Sequence, residues 1–113
     1  ANAAVNAETY TDTPVEVIAI RDAGISEADE SKSIIEVRWR TNPAVNAPAN
    51  VFKLQLSVTY ADGTTLLLTK NADGESLSAQ IEVPSARISR RHPPALIKTI
   101  SAVVIAVLPK QPN

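Results

Sequence analysis

The stretch VFKLQLSVTY at residues 51–60 decides the fold, because its side chains alternate between apolar and polar along its whole length. Its even positions are apolar from Phe52 to Tyr60, and its odd positions after Val51 are polar. A period of two residues is typical of a β-strand with one face in the core and one in water. Residues 34–41 alternate in the same way and include Trp39. Two such strands predict an antiparallel β-domain.

Length and composition limit the class of protein. The chain has 113 residues, no cysteine and a formal net charge of -1. This length fits one domain with a substantial core, and the lack of cysteine excludes disulfides and thiolate metal sites. Because there is no basic excess, no nucleic-acid partner is expected. The longest apolar run, residues 102–108, is too short to predict a membrane span.

Turn signals and alternation divide the chain into six predicted strands and two ends. The strands are predicted at residues 15–21, 34–41, 51–60, 65–70, 77–83 and 96–108. Together they predict an all-β fold, an antiparallel sandwich of two sheets formed by residues 14–108. Residues 1–13, rich in Ala, Asn and Thr, predict a flexible tail or linker. Residues 109–113 predict a frayed C-terminus.

The turn after Tyr60 sets the register of the central hairpin. A loop of residues 61–63 pairs Val58 with Leu66 and places Leu66 and Leu68 on the core side. A two-residue turn would expose both leucines. The sequence therefore predicts a three-residue loop with Gly63 in the left-handed region, where the missing Cβ avoids a steric penalty.

The last apolar segment is open to two interpretations. Its apolar residues match a helical stripe, which would give an α+β fold with a C-terminal helix at residues 95–108. Many of them are β-branched, however, and such residues lose rotamer freedom in a helix. The composition favours a central strand buried on both faces.

Three features of the predicted strands resemble the fibronectin type III family and its immunoglobulin-like relatives. The second strand carries an inward Trp39, the third is long and alternating, and a late strand contains Val104-Ile105-Ala106-Val107. The resemblance covers residues 14–108 and implies a spacer, adhesion or accessory module. Ile100 stands where the family usually has a tyrosine, and the family's final strand is missing.

The densest polar feature is the arginine loop, residues 87–92, with Arg87, Arg90, Arg91 and His92. Guanidinium groups can hold a phosphate, a sulfated sugar or an acidic protein patch through paired hydrogen bonds. The alternative interpretation is a solvated loop that keeps a strand edge soluble. No aromatic residue is interleaved, so base stacking is not expected.

No other residues indicate catalysis or metal binding. Glu27, Asp29 and Glu30 could offer oxygen ligands to calcium, but their spacing lacks the pattern of a calcium loop. His92 is the single histidine, and no nucleophile elbow or phosphate-binding motif occurs. The sequence predicts no catalytic residue, no metal site, no cofactor and no enzymatic activity.

The sequence therefore predicts a non-catalytic module that acts as spacer or protein-contact domain of a secreted or cell-surface protein. The small-residue start ANAA is compatible with removal of a signal peptide. One alternative is a structural subunit that assembles through open strand edges, because a missing final strand leaves an edge to which another chain can add. The other is an anionic-ligand-binding domain that uses the arginine loop. No oligomeric state is predicted.

Overall fold

The computed structural model describes residues 4–7, 15–89 and 92–110, with the backbone alone described for 4–7. The described residues form eight strands and one short 3-10 helix, Ala47–Ala49. The strands are β1 Ala4–Ala7, β2 Val15–Ile25, β3 Lys32–Thr41, β4 Asn50–Tyr60, β5 Thr65–Asp73, β6 Ser78–Pro84, β7 Ala86–Ser89 and β8 His92–Pro109. The predicted all-β class is confirmed, and the alternative of a helix at residues 95–108 is wrong.

The strands form two sheets that pack face to face. One sheet has the order β1-β8-β4-β5, with β7 also paired to β8, and the other has the order β2-β3-β6. Every pairing is antiparallel except that of β1 with β8, which is parallel. The predicted two-sheet sandwich is confirmed, with the six predicted strands present as β2 to β6 and β8.

The core lies between the inner faces of the two sheets. The even positions of β4, from Phe52 to Tyr60, are completely buried. Trp39 of β3 meets Phe52 edge-on, with ring centroids 6.0 Å apart and an interplanar angle of 81°. Such T-shaped contacts align the positive edge of one ring with the negative face of the other. The tryptophan strand and the phenylalanine-to-tyrosine strand thus face each other across the core.

The β4–β5 turn has the predicted register. Val58 pairs with Leu66, and the Tyr60 amide donates to the carbonyl of Thr64 at 2.9 Å. The intervening loop is residues 61–63, in which Gly63 has a φ of 86°. The prediction from side-chain alternation is confirmed because one register alone turns both hairpin leucines toward the core.

Strand β8 corrects one part of the sequence interpretation. It is central, since it lies between β4 and β1, but it is not buried on both faces. Its inward residues Ile100, Ala102 and Val104 are buried, whereas Ser101 and Val103 on the other face are half-buried. No second layer of described residues covers that outer face. Burial in the core therefore explains only the inward-facing residues of the apolar run 102–108.

Parts of both chain ends form backbone pairings in the described structure. Residues 4–7, assigned from composition to a flexible tail, pair with β8, because a backbone ladder does not require apolar side chains. Pro109 pairs with Asn50, and the Lys110 amide donates to the carbonyl of Ala49 at 2.9 Å. Residues 1–3, 8–14 and 111–113 lie outside the described part of the chain.

Candidate functional site

The two ends of the arginine loop lie in paired strands. Strand β7 pairs with the start of β8, and Ser89 pairs with His92. Arg87 therefore lies in β7 and an exposed His92 begins β8, so neither belongs to a loop as predicted. Arg90 and Arg91 lie outside the described residues. The grouping of all four side chains into one anion-binding site thus stays a prediction.

Arg87 packs against the β4–β5 turn. Its guanidinium carbon lies 5.9 Å from the centroid of the Tyr60 ring, within range of a cation–π contact. The pKa of Asp62 is lowered mainly by hydrogen bonds from the Thr64 hydroxyl and amide, and the positive charge of Arg87 lowers it further. Arg87 thus has a structural role in holding the β7–β8 hairpin beside the turn.

The acidic loop between β2 and β3 is explained by its own hydrogen bonds. The Asp29 carboxylate accepts from the Ser31 hydroxyl at 2.6 Å and from the Ser31 amide at 3.0 Å. These bonds lower the pKa of Asp29. The Ser26 hydroxyl donates to Glu82 at 2.8 Å. Within the described part of the chain, no three His, Cys, Asp or Glu side chains are grouped as metal ligands.

A different feature emerges at the side of β8 that faces away from β4. Strand β8 has 18 residues, and β4 pairs with most of them. On the other side, β7 pairs with residues 92–96 and β1 pairs with residues 99–102. Strand β2 approaches β8 but forms no ladder with it. Among the described strands, none but β4 pairs with residues 103–109, which we call the open β8 edge.

The open β8 edge is apolar and uncharged. Its sequence is VVIAVLP, and Ile105 and Leu108 are 46% and 44% exposed. Ile105 is the extra residue of a β-bulge, because Lys53 pairs with Ala106 while Leu54 pairs with Val104. An uncharged, β-branched edge is a ready template for a further strand.

The other outermost strands carry features that discourage such pairing. Strand β2 carries charged residues, among them Glu16 and Arg21, and charges on an edge disfavour the addition of another strand. Strand β6 carries Glu82. Lys70 of β5 donates its ammonium to the carbonyl of Gln80 in β6 at 3.1 Å, which closes that side of the sandwich. The open β8 edge has no charged residue of this kind.

An open strand edge stays a prediction of the sequence analysis, and its place was not predicted. The uncharged run of residues 102–108 is the one signal within the sequence. It does not indicate which side of β8 is left unpaired, because this depends on β4, β7 and β1 meeting the same strand at different positions.

No known protein family, characterised protein or solved structure matches this chain. No helix among the described residues is long and apolar enough to cross a membrane. The resemblance to fibronectin type III and immunoglobulin-like domains consequently stays a prediction, and the candidate site is interpreted from its geometry alone.

Proposed function

We propose that this chain is a non-catalytic protein-contact module of a secreted or cell-surface protein, which joins other polypeptide chains, copies of itself included, through the open β8 edge. The observation that carries the proposal is the lack of a described strand beside residues 103–109 on the side away from β4. Strand edges expose rows of backbone donors and acceptors, and a second chain can satisfy both.

The composition of the edge supports this proposal. Ile105 and Leu108 remain close to half exposed although they are large and apolar. Adding a strand beside them would bury apolar surface, at roughly 25 cal/mol per Å², as well as satisfy the backbone groups. Edges that must stay solvated usually carry a charge or a proline within the strand, and here proline occurs only at the end, as Pro109.

A second candidate is an inert spacer, and one observation favours it. The outer face of the β2-β3-β6 sheet carries cross-strand ion pairs, Arg21 with Glu36 at 3.2 Å and Arg40 with Glu16 at 2.7 Å. Exposed pairs of this kind add little stability but keep a face solvated and locally neutral. That face fits a spacer, whereas the opposite sheet, with its open β8 edge, fits a contact domain.

Sedimentation velocity separates the two candidates. The mass of the wild-type protein should rise between micromolar and near-millimolar concentration, and Ile105→Lys should weaken this association about tenfold, equivalent to about 1.4 kcal/mol. Ile18→Lys is the matched control, since Ile18 is also a bulge isoleucine and is 47% exposed, but on the other sheet.

Both lysine variants should retain a β-type circular dichroism spectrum, which verifies that they fold. A wild-type protein that stays monomeric at every concentration would contradict self-association through the open β8 edge. Equal effects of Ile105→Lys and Ile18→Lys would place the contact elsewhere than the open β8 edge.

A further inference from the structure

We infer that the open β8 edge pairs with the same edge of a second copy of this chain, antiparallel and about a twofold axis at Ala106. This inference rests on the proposed function and names its partner. A twofold contact uses one surface patch on both copies, so that patch must be complementary to itself. The open β8 edge, residues 103–109, meets this condition in its composition, its limits and its two faces.

The composition of the edge makes it complementary to itself. All seven residues of VVIAVLP are uncharged and apolar. Two copies of this edge therefore meet without like charges directly opposite each other, which would destabilise the pair. No side chain of the edge offers a charge or a hydrogen-bonding group that would select a chain of different composition.

The edge is already held in the conformation that pairing requires. Residues 103–109 are extended because β4 pairs with them on the opposite side, from Asn50 to Gln55. A disordered peptide must lose backbone entropy when it adds to a sheet. Two preformed β8 edges do not, and this difference favours a second copy over an unstructured partner.

The two limits of the free edge coincide in an antiparallel pair. At one end β1 pairs with β8 up to Ala102, and at the other end Pro109 has no amide hydrogen to donate. In an antiparallel pair centred on Ala106, the first limit of one copy lies beside the second limit of the other. The midpoint of residues 103–109 thus sets the register.

The bulge at Ile105 divides the edge into inward and outward residues. Val104 and Val107 are inward, since their β4 partners Leu54 and Phe52 are completely buried. The residues that pair with odd, outward positions of β4 are Val103, Ala106 and Leu108. Ile105 is the extra residue and belongs to neither set.

A twofold axis at Ala106 pairs each set with itself. Val104 of one copy lies beside Val107 of the other, and Val103 lies beside Leu108. Ile105 stays the extra residue of both strands. Every pair then joins two inward or two outward side chains, as a continuous sheet requires.

The inner face of the sheet is incomplete at Val107. Its β4 partner Phe52 is completely buried, and Val104 on the same face is 3% exposed, yet Val107 is only half-buried. In the twofold pair, Val104 of the second copy covers this side chain. Association therefore buries an inward residue that a single copy leaves partly in water.

The twofold arrangement predicts a weak dimer that does not grow further. A contact made by one strand pair lies at the low end of interface sizes, below about 1,200 Å² in total, so the dimer should dissociate in dilute solution. Because each copy uses its open β8 edge in the contact, no such edge is left for a third copy. Sedimentation should show monomer and dimer, and continued growth beyond the dimer would overturn the twofold pair.

Disulfide formation tests the register, because the chain has no cysteine of its own. Residues directly opposite in an antiparallel pair have Cα atoms about 4.5–5.5 Å apart, within the range that a disulfide spans. Ala106 lies opposite itself in the twofold pair. The full-length variant Ala106→Cys is therefore incubated at near-millimolar concentration in a glutathione redox buffer. Thr69→Cys, at an exposed position of β5, measures random collisions.

Ala106→Cys should give a disulfide-linked dimer in severalfold higher yield than Thr69→Cys, and this yield should fall on dilution. A mixture of Val103→Cys and Leu108→Cys should give a heterodimer, with less dimer from either variant alone, and decides the question if Ala106→Cys does not fold. Yields no higher than that of the control would overturn the twofold pair. They would leave the proposed function standing if Ile105→Lys still weakens self-association, and would remove both if it does not.

Discussion

Tyr60 connects the two sheets through a single buried hydroxyl. The residue is completely buried at the end of β4, and its hydroxyl donates to the Pro84 carbonyl of β6 at 2.7 Å. Burial raises the pKa of this phenol above its ordinary value of 10.0, and Arg87 over the ring opposes the shift. The neutral phenol is therefore the form that the folded protein requires.

Tyr60→Phe tests this link. The substitution removes the donor and leaves the Pro84 carbonyl without this partner, so the free energy of unfolding should fall by about 1–2 kcal/mol. Denaturant titration measures the loss. Thr65→Val, which removes a hydroxyl from an exposed position of β5, should change the free energy by no more than about 0.5 kcal/mol. Equal losses in the two variants would contradict the role of the hydroxyl.

The same phenol predicts a pH dependence. Because its pKa is raised in the folded state, its contribution to stability is complete below the unfolded value of about 10 and is lost as the pH rises through the folded value. The stability difference between wild type and Tyr60→Phe should consequently shrink at alkaline pH. A difference that stays constant from neutral pH upward would show that Tyr60 does not titrate as a buried group.

At the scale of elements, two glycines show how different constraints act on turns. Gly63 has a φ of 86°, but a Cβ added there would meet open space. Gly74, after β5, has no such backbone constraint, yet an added Cβ would overlap the carbonyl oxygens of Ala47 and Asn50. At Gly63 the backbone conformation limits which residues are tolerated, whereas at Gly74 the limit is the space available for a side chain.

Alanine substitutions should separate these two effects. Gly63→Ala should lower the free energy of unfolding by about 1 kcal/mol through left-handed strain alone, and Gly63→Asn by less, since Asn tolerates that region. Gly74→Ala should cost more, because backbone atoms must move. Thermal unfolding of the three variants measures the order, and a Gly63→Ala variant less stable than Gly74→Ala would contradict it.

The elements that the sequence predicts well are those whose side chains alternate. Phe52 to Tyr60 have the correct face because one register alone buries them, and Gly63 follows from that register. Strand β1 could not be predicted in this way. Its pairing depends on backbone groups of β8 that are left free by the arrangement of β4 and β7, which no local pattern encodes. The hairpin of Arg87 and His92 was missed for the same reason.

At the scale of the whole molecule, the four sides of the two sheets are unequal. Lys70 closes the side between β5 and β6, and charged residues protect β2. The remaining side belongs to β8, whose residues 103–109 are apolar and paired to β4 alone among the described strands. The apolar run of residues 102–108 is therefore explained in part by the core and in part by a surface suited to another chain.

Amide hydrogen exchange of β8, followed by NMR in dilute and in concentrated samples, tests this explanation most directly. The amides within residues 103–108 that are not bonded to β4 should exchange rapidly in dilute solution and become protected on concentration, while those bonded to β4 stay protected in both. Amides of β5 serve as the control and should not change. Protection of residues 103–108 that is the same at both concentrations would contradict the assignment of this edge as the contact surface.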